Sequence, residues 1–450
     1  MGFKLIKVFI LSVSLILAGS LVKNSSGTSI SGPNPPSHAT KPSELNGISI
    51  SHQLRNTDSD FKGSDAFDEA MQQFLHQYGI KGASVAIALN DRLIYAKGYG
   101  YADYDNDIPM EPFHILRIAS VSKLLTASAI MKLVEQGKLS LDSKVFGKNG
   151  LLNDSIYLHF RDKRYERITV RQLLTHTAGW GKRNGDPVFF HFSVARKLHV
   201  PLPVTIPETI EYALGFSLPY APGTHYCYSN LGYVILGEII SKLSKQPYEQ
   251  FVQNDLLAPA GIYDMHIGNS FLDDKFWNES KYYQLNYTNY CDAYDGSGRQ
   301  VPQIYGGNNI NLLGAAGGWL ASPSELLKFV LSIGGDTSVQ QLISRQSFDE
   351  MTTPDPETHH LLGWGGRDDD GSLWRTGSLV GTNALVEKRS SGLTWVVILN
   401  SSGSRQKSIP YAILRTIQHG LDAVDRWPDY DLFTFKKMDL AKPIATGPVN

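Results

Sequence analysis

The sequence predicts an α/β sandwich: a mainly antiparallel sheet drawn from both ends of the chain, flanked by helices, with a helical region inserted between its two halves. Two observations carry this reading. β-Rich runs occupy residues 83–89 and 93–99, and again 373–375, 382–389 and 393–399. Between them lies a succession of short helical periods broken by Gly, Pro and polar loops. A cleft is expected where the sheet and the helical block meet.

Taken in order, Lys4 and Lys7 precede an apolar stretch over 8–18 that ends in Ala18-Gly19-Ser20. Residues 1–20 thus have the grammar of a signal peptide or an uncleaved anchor, and a secreted, periplasmic or otherwise extracytoplasmic location is expected. The apolar stretch is short for a membrane span, so no stable span is expected once the signal is removed. Residues 21–63, rich in Ser, Gly, Pro and Asn, read as a flexible leader. The main domain is expected over 64–422, its sheet coming from 64–140 and 310–422 and its helical insertion spanning 141–309. A tail without strong periodicity follows at 423–450.

Within the domain, Ser64 and Asp65 can cap a helix carrying Phe67, Met71, Phe74 and Leu75 that ends near Gly79. Asn90-Asp91-Arg92 suggests a short hairpin turn. A buried helix follows through Leu124, Leu125, Ala127, Ile130, Leu133 and Val134, stopping at Gly137. In the insertion, 171–175 and 207–214 look helical. Residues 314–319 form a tight turn into Ser322-Pro323-Ser324-Glu325, which fits a capping box with Pro323 at the first helical position. Ser390-Ser391-Gly392 turns between the last two strands, and 411–421 is a closing helix.

The 450 residues, 42% hydrophobic, suffice for a large core. Basic and acidic residues nearly cancel, 42 against 43, so no charge imbalance points to nucleic acid. With only Cys227 and Cys291, packing rather than disulfides must hold the core. His359-His360 lacks the helical spacing of a zinc site, so neither metal nor other cofactor is expected.

Three polar pieces stand at the edges of core elements. The first is Ser120-x-x-Lys123, opening the buried helix. Side chains three apart share a helix face, and an amine beside a hydroxyl makes a nucleophile. The same spacing at Ser20, Ser59 and Ser404 opens no core-like helix. The second is Tyr228-Ser229-Asn230, after a Pro222-Gly223 turn and before a helix with Leu231, Val234, Ile235, Ile239 and Ile240. Tyr228 offers a phenol for proton transfer and Asn230 an amide to orient a substrate. The third is Trp374-Arg375-Thr376-Gly377-Ser378, at the end of a strand. There Arg375 brings a permanent cation, Gly377 lets a substrate lie against the backbone beside Thr376, and the Ser378 N–H can join that of Ser120 as an oxyanion hole.

In this order and context, the three pieces resemble the serine β-lactamase and penicillin-binding-protein superfamily. Tyr228-Ser229-Asn230, in place of Ser-Asp-Asn, looks like the class C β-lactamase and esterase branch. So do residues 173–179 (Leu-Leu-Thr-His-Thr-Ala-Gly) and Ala316-Gly317-Gly318. The resemblance covers roughly 65–422. It implies a β-lactamase/transpeptidase-like fold and an acyl-enzyme mechanism in which Ser120 attacks a carbonyl, Lys123 and Tyr228 share its proton traffic, and water releases the acyl group. It also places His176 in a structural turn. Arg375 departs from the usual Lys or His: it keeps the charge and can grip a carboxylate, but carries no proton near neutral pH. The expectation is therefore an exported serine hydrolase for a small-molecule or peptide ester or amide. A D-Ala-D-Ala carboxypeptidase, penicillin-binding protein or β-lactamase is the alternative, and a silent scaffold with the same fold is the reading from another class.

Overall fold

Alternating β-rich runs from the two ends of the chain interlock as seven strands. In chain order they are β1 (Gly82–Leu89), β2 (Arg92–Asp103), β3 (Ile108–Pro109), β4 (Gly366–Arg367), β5 (Leu373–Leu379), β6 (Thr382–Lys388) and β7 (Leu393–Leu399). The sheet order is β4-β5-β6-β7-β1-β2-β3, antiparallel throughout. The two halves meet at its centre, where Ala83 pairs with Leu399 and Ala86 with Val396. The computed structural model describes residues 49–285, 288–335, 338–356, 358–403 and 408–434. The signal-peptide stretch 1–20 and the leader to residue 48 lie outside the described residues.

Side chains alternate across a strand, and here both faces are covered. Val85, Ile87, Trp395 and Val397 pack with Phe67 and Met71 of helix α1 (Asp65–Tyr78) and with Ile413 and Ile417 near the C-terminus. Ala86, Ala88, Val396 and Ile398 face the other way, onto Leu124 and Leu125 of helix α2 (Ser122–Glu135) and the helical block. That block contains α3 (Asn230–Ser244), and the chain returns to the sheet through α4 (Pro323–Ser332) before α5 (Ile409–Ala423) closes it. A small sheet at the junction pairs Trp319–Ala321 with both His266–Ile267 and Leu116–Arg117.

Several local expectations are corrected. Asn90 and Asp91, both at positive φ (48° and 66°), make a two-residue hairpin turn, and Arg92 already belongs to β2. β5 continues to Leu379, so Arg375 to Ser378 lie within the strand rather than at its end. Glu325 does not close a capping box: Ser322 Oγ accepts from the Glu325 N–H, but the carboxylate turns away to the Tyr263 and Asp264 N–H groups. The end of the leader is not free either. Residues 49–63 make two 3₁₀ turns, bury Leu54 fully, and bond Ser59 Oγ to both the N–H and the C=O of Ala96. Isolated anchors of this kind leave no periodicity for the sequence to display. In the tail, Leu432 is likewise buried and its N–H donates to Leu93 O.

Candidate active site

The small junction sheet delivers the chain to Ser120. Ile118 N donates to Trp319 O at 2.9 Å, a 3₁₀ turn runs over Ala119–Val121, and α2 begins at Ser122. Ala119, fully buried, has φ +46°, a left-handed conformation costing a non-glycine residue about 1 kcal/mol or more. β5 presses on this turn. A Cβ built on Gly377 would lie 2.2 Å from Ile118 O and 3.0 Å from Ser120 N, so only glycine allows the approach.

One helical turn beyond the serine, Lys123 is fully buried, with Nζ 3.4 Å from Ser120 Oγ. Its ammonium also donates to Asn230 Oδ1 at 2.8 Å and Ala316 O at 2.5 Å. The Ala316 carbonyl comes from Gly314–Gly318, a π-helical turn where the sequence predicts a tight turn. Tyr228 precedes α3 and directs its hydroxyl to Ser120 Oγ at 2.7 Å. Ser229, not Asn230, caps α3, its Oγ accepting from Gly232 N. Asn230 is buried, and its Oδ1 is turned to the Lys123 amine.

From β5, the buried Arg375 guanidinium donates through Nε to Ser120 O at 3.0 Å, through Nη1 to Trp364 O at 3.4 Å and through Nη2 to Tyr228 OH at 3.4 Å. Thr376 is half-buried; Ser378 is exposed, and its hydroxyl donates to Asn383 Oδ1. β4 pairs with β5 only at Leu373 and Trp374, so among the described residues no strand covers that edge of β5 from Arg375 onward. A polypeptide-like substrate can lie along such an edge.

Two further side chains adjoin the three pieces: Asp186, which no motif marks, and His176, from the 173–179 stretch. Asp186 accepts from Asn230 N at 2.6 Å and Leu231 N at 3.3 Å, placing a carboxylate on the positive end of α3. His176 lies against the rings of Tyr228 and Tyr233, centroids 4.5 and 5.2 Å away, and its Nδ1 accepts from Ser229 N. The sequence offers only one clue to Asp186, an acid before Pro187 in a Gly-containing loop.

Burial and neighbouring charge set the ionisation. Desolvation brings Lys123 down to about 8, with the Arg375 cation pushing the same way and Tyr228 and Asp186 opposing. For Tyr228, burial alone would raise the phenol, but the cations of Lys123 and Arg375 outweigh it and hold it below 10. Burial and the same two cations drive His176 well below 6.5, so it is neutral and its place is structural. Burial pushes the Cys227 thiol up, away from nucleophilic thiolate; Cys227 and Cys291 are both free thiols. His360 packs on the Tyr226 ring, centroids 3.8 Å apart. Among the described residues no three His, Cys, Asp or Glu side chains gather to hold a metal ion.

This architecture has relatives. The family model described as Beta-lactamase matches residues 67–417. Protein flp of Staphylococcus aureus is 25% identical over 345 residues, covering 74% of this chain and 63% of flp, so the chain spans under two thirds of that relative's length. The octameric penicillin-binding protein homologue from Pyrococcus abyssi superposes with a TM-score of 0.57 at 27% identity, covering 78% of this chain and 76% of that one. The D-amino acid amidase of Ochrobactrum anthropi SV3 shares the fold, with a TM-score of 0.60 at 21% identity over 80% of this chain and 98% of the amidase. With the match running from α1 into α5, the chain belongs to the Beta-lactamase family.

Proposed function

We propose that the protein is an exported serine hydrolase that cleaves an ester or amide through an acyl-enzyme on Ser120. One observation carries the reading: Ser120 Oγ has the Tyr228 hydroxyl at 2.7 Å and the Lys123 amine at 3.4 Å, both groups with lowered pKa. In its ionised form Tyr228 accepts the Ser120 proton as Oγ attacks the substrate carbonyl. Lys123 and Arg375 stabilise the phenolate before the attack and relay charge during it. The shorter contact favours Tyr228 as the base. Oxyanion stabilisation falls to the N–H groups of Ser120, at the start of its helix, and of Ser378 in β5. Tyr228 then returns the proton to the leaving alcohol or amine. Water, deprotonated by the same phenolate, attacks the acyl-enzyme and frees Ser120.

Export rests on the Lys4 and Lys7 apolar grammar of residues 1–20, and among the described residues no helix is long and apolar enough to cross a membrane. The likeness to a penicillin-binding protein homologue and to a D-amino acid amidase keeps a peptidase or β-lactam-reactive activity as the second reading. A fluorophosphonate probe and a fluorescent penicillin, with the adduct located by peptide mass spectrometry, test both. Labelling of Ser120 by the fluorophosphonate alone supports an esterase or related acyl hydrolase, and labelling by both supports the penicillin-reactive branch. Well-folded protein labelled by neither would overturn the hydrolase reading.

A further inference from the structure

A cavity of about 210 Å³ opens between the loop before α3, at Tyr226, and the segment leading to β4, with His176 and Arg375 in its wall. Its polar lining is His176, Tyr226, His359, His360, Arg367 and Arg375, with no carboxylate among the lining side chains. Such a volume holds several waters at ~30 Å³ each. Arg375, 5% exposed, spends its three observed hydrogen bonds on two backbone carbonyls and a phenol oxygen, and among the described residues it forms no ion pair. A guanidinium has five N–H donors, so part of its fork is left toward the cavity. Arg367 reaches the same space with only Thr352 O as its observed side-chain partner, at 3.3 Å. While Tyr228 is in its phenol form the buried Arg375 cation has no counter-charge, a costly state that an entering anion relieves.

We infer that this cavity binds a small oxyanion, a carboxylate or phosphate-like group held between Arg375 and Arg367 with His360 as a further N–H donor. Arg pairs with planar oxyanions through two parallel hydrogen bonds, the geometry an open guanidinium edge offers. The oxyanion is either a free solute anion or a carboxylate on the substrate itself. Its kinetic consequence rests on the proposed role of Tyr228. An anion on Arg375 offsets one of the two cations that stabilise the phenolate, so a bound free anion slows acylation near neutral pH.

The test begins with calorimetric titration of inorganic phosphate into the full chain carrying Ser120→Ala, at constant ionic strength with sodium chloride as the reference. One-to-one saturable binding is expected, weakened tenfold or more by Arg367→Ala or His360→Ala and recovered only in part by Arg367→Lys, which keeps the charge and loses the fork. Arg367 is exposed and His360 partly so, which leaves the fold intact in these variants. Because Ser120 is absent from this arm, failure of the hydrolase reading would not disturb it. A second arm separates the sources with the wild-type enzyme. Phosphate inhibition of a neutral acetyl ester that Arg367→Ala relieves indicates a free anion. A KM increase in Arg367→Ala for a half-ester bearing a carboxylate, with the neutral ester unchanged, indicates the substrate's own group. Absence of saturable phosphate and acetate binding, or binding that neither variant weakens, overturns the inference.

Discussion

Two of the buried polar clusters among the described residues treat charge in opposite ways. At the first, Asp264 receives His52 Nε2 at 2.8 Å on one oxygen and His266 Nε2 at 3.1 Å on the other, with Asn278 Nδ2 at 2.7 Å. Beside it Glu325 accepts from Ser49 Oγ, Tyr263 N and Asp264 N. Asp264 has its complement in the two imidazoles, and the cluster ties residues 49–53 to the helical block. At the second, Lys123 and Arg375 donate to carbonyl, amide, phenol and hydroxyl oxygens, while the nearby carboxylate of Asp186 accepts from backbone N–H groups of α3. The first cluster sets a carboxylate against two imidazoles and holds structure together. The second keeps an uncompensated positive field, and that field falls on Tyr228 and Ser120. Buried polar residues alone do not mark a reactive centre; an imbalance aimed at one hydroxyl does.

The comparison breaks first at the nucleophile. Ser120→Ala should cut kcat/KM for an activated ester by ~10⁴-fold or more and remove covalent labelling, while leaving the unfolding midpoint nearly unchanged. Labelling that persists elsewhere in the chain would show that the cation-rich cluster is not the reactive one. Tyr228→Phe comes next, with a loss of ~10²–10⁴-fold. Its sharper readout is pH: the active form is deprotonated, so wild-type kcat/KM should rise with pH through a value below 10, and the variant should lose that limb. An unchanged limb would assign the proton to another group.

Asp186→Asn tests the single acid near the positive field. Its carboxylate raises Lys123, so its removal should move the lysine limb of the pH profile below about 8. A purely structural Asp186 would lower the melting temperature and leave the profile in place. The smallest kinetic effect is expected from the first cluster. Asp264→Asn should lower stability to urea by ~1–3 kcal/mol and leave kcat/KM within about twofold. The Asp264 carboxylate raises His52 above 6.5, so the stabilisation from this pair is fully present below pH 6.5 and lost as pH rises through the raised His52 value. The stability gap between wild type and His52→Ala should therefore narrow with rising pH; a gap constant from pH 5 to 9 would discount the ion pair.

The two clusters also differ in how legible they were. Ser120, Lys123 and Tyr228 stand where a polar pair or triplet abuts a strongly apolar helix, a contrast visible in one dimension, and the strand runs bracketing the helical block gave the sheet its two halves. Asp186 and the His52–Asp264–His266 group were not legible, because each is made by loops brought together only in three dimensions. Asn230 was visible as a residue but not in its orientation, which depends on Lys123 arriving from a different helix. Glu325 carried the local signature of a capping box and was drawn away by two backbone donors from residues 263 and 264, a tertiary demand that outweighs the local rule. The packed segment 49–63 is not legible either, because one buried leucine and one serine bonding to a strand make no periodic pattern.

The pairing of β1 with β7 also bears on how the protein is made. Residues near the N-terminal side of the domain find their central sheet partners only among residues near its C-terminal side, and Gly377 braces the Ser120 turn from that late half. Non-local pairings of this sort fold slowly, since a long intervening chain must be ordered before any contact repays it. During synthesis the serine and lysine emerge long before the strand that shapes their turn. A nascent or truncated chain would thus hold Ser120 without its Gly377 brace, without Arg375 and without the proposed oxyanion donor Ser378, so the proposed reactivity would switch on only when the last strands dock. Under the proposed function, such coupling of chemistry to completed folding would keep Ser120 silent until the whole domain has been built.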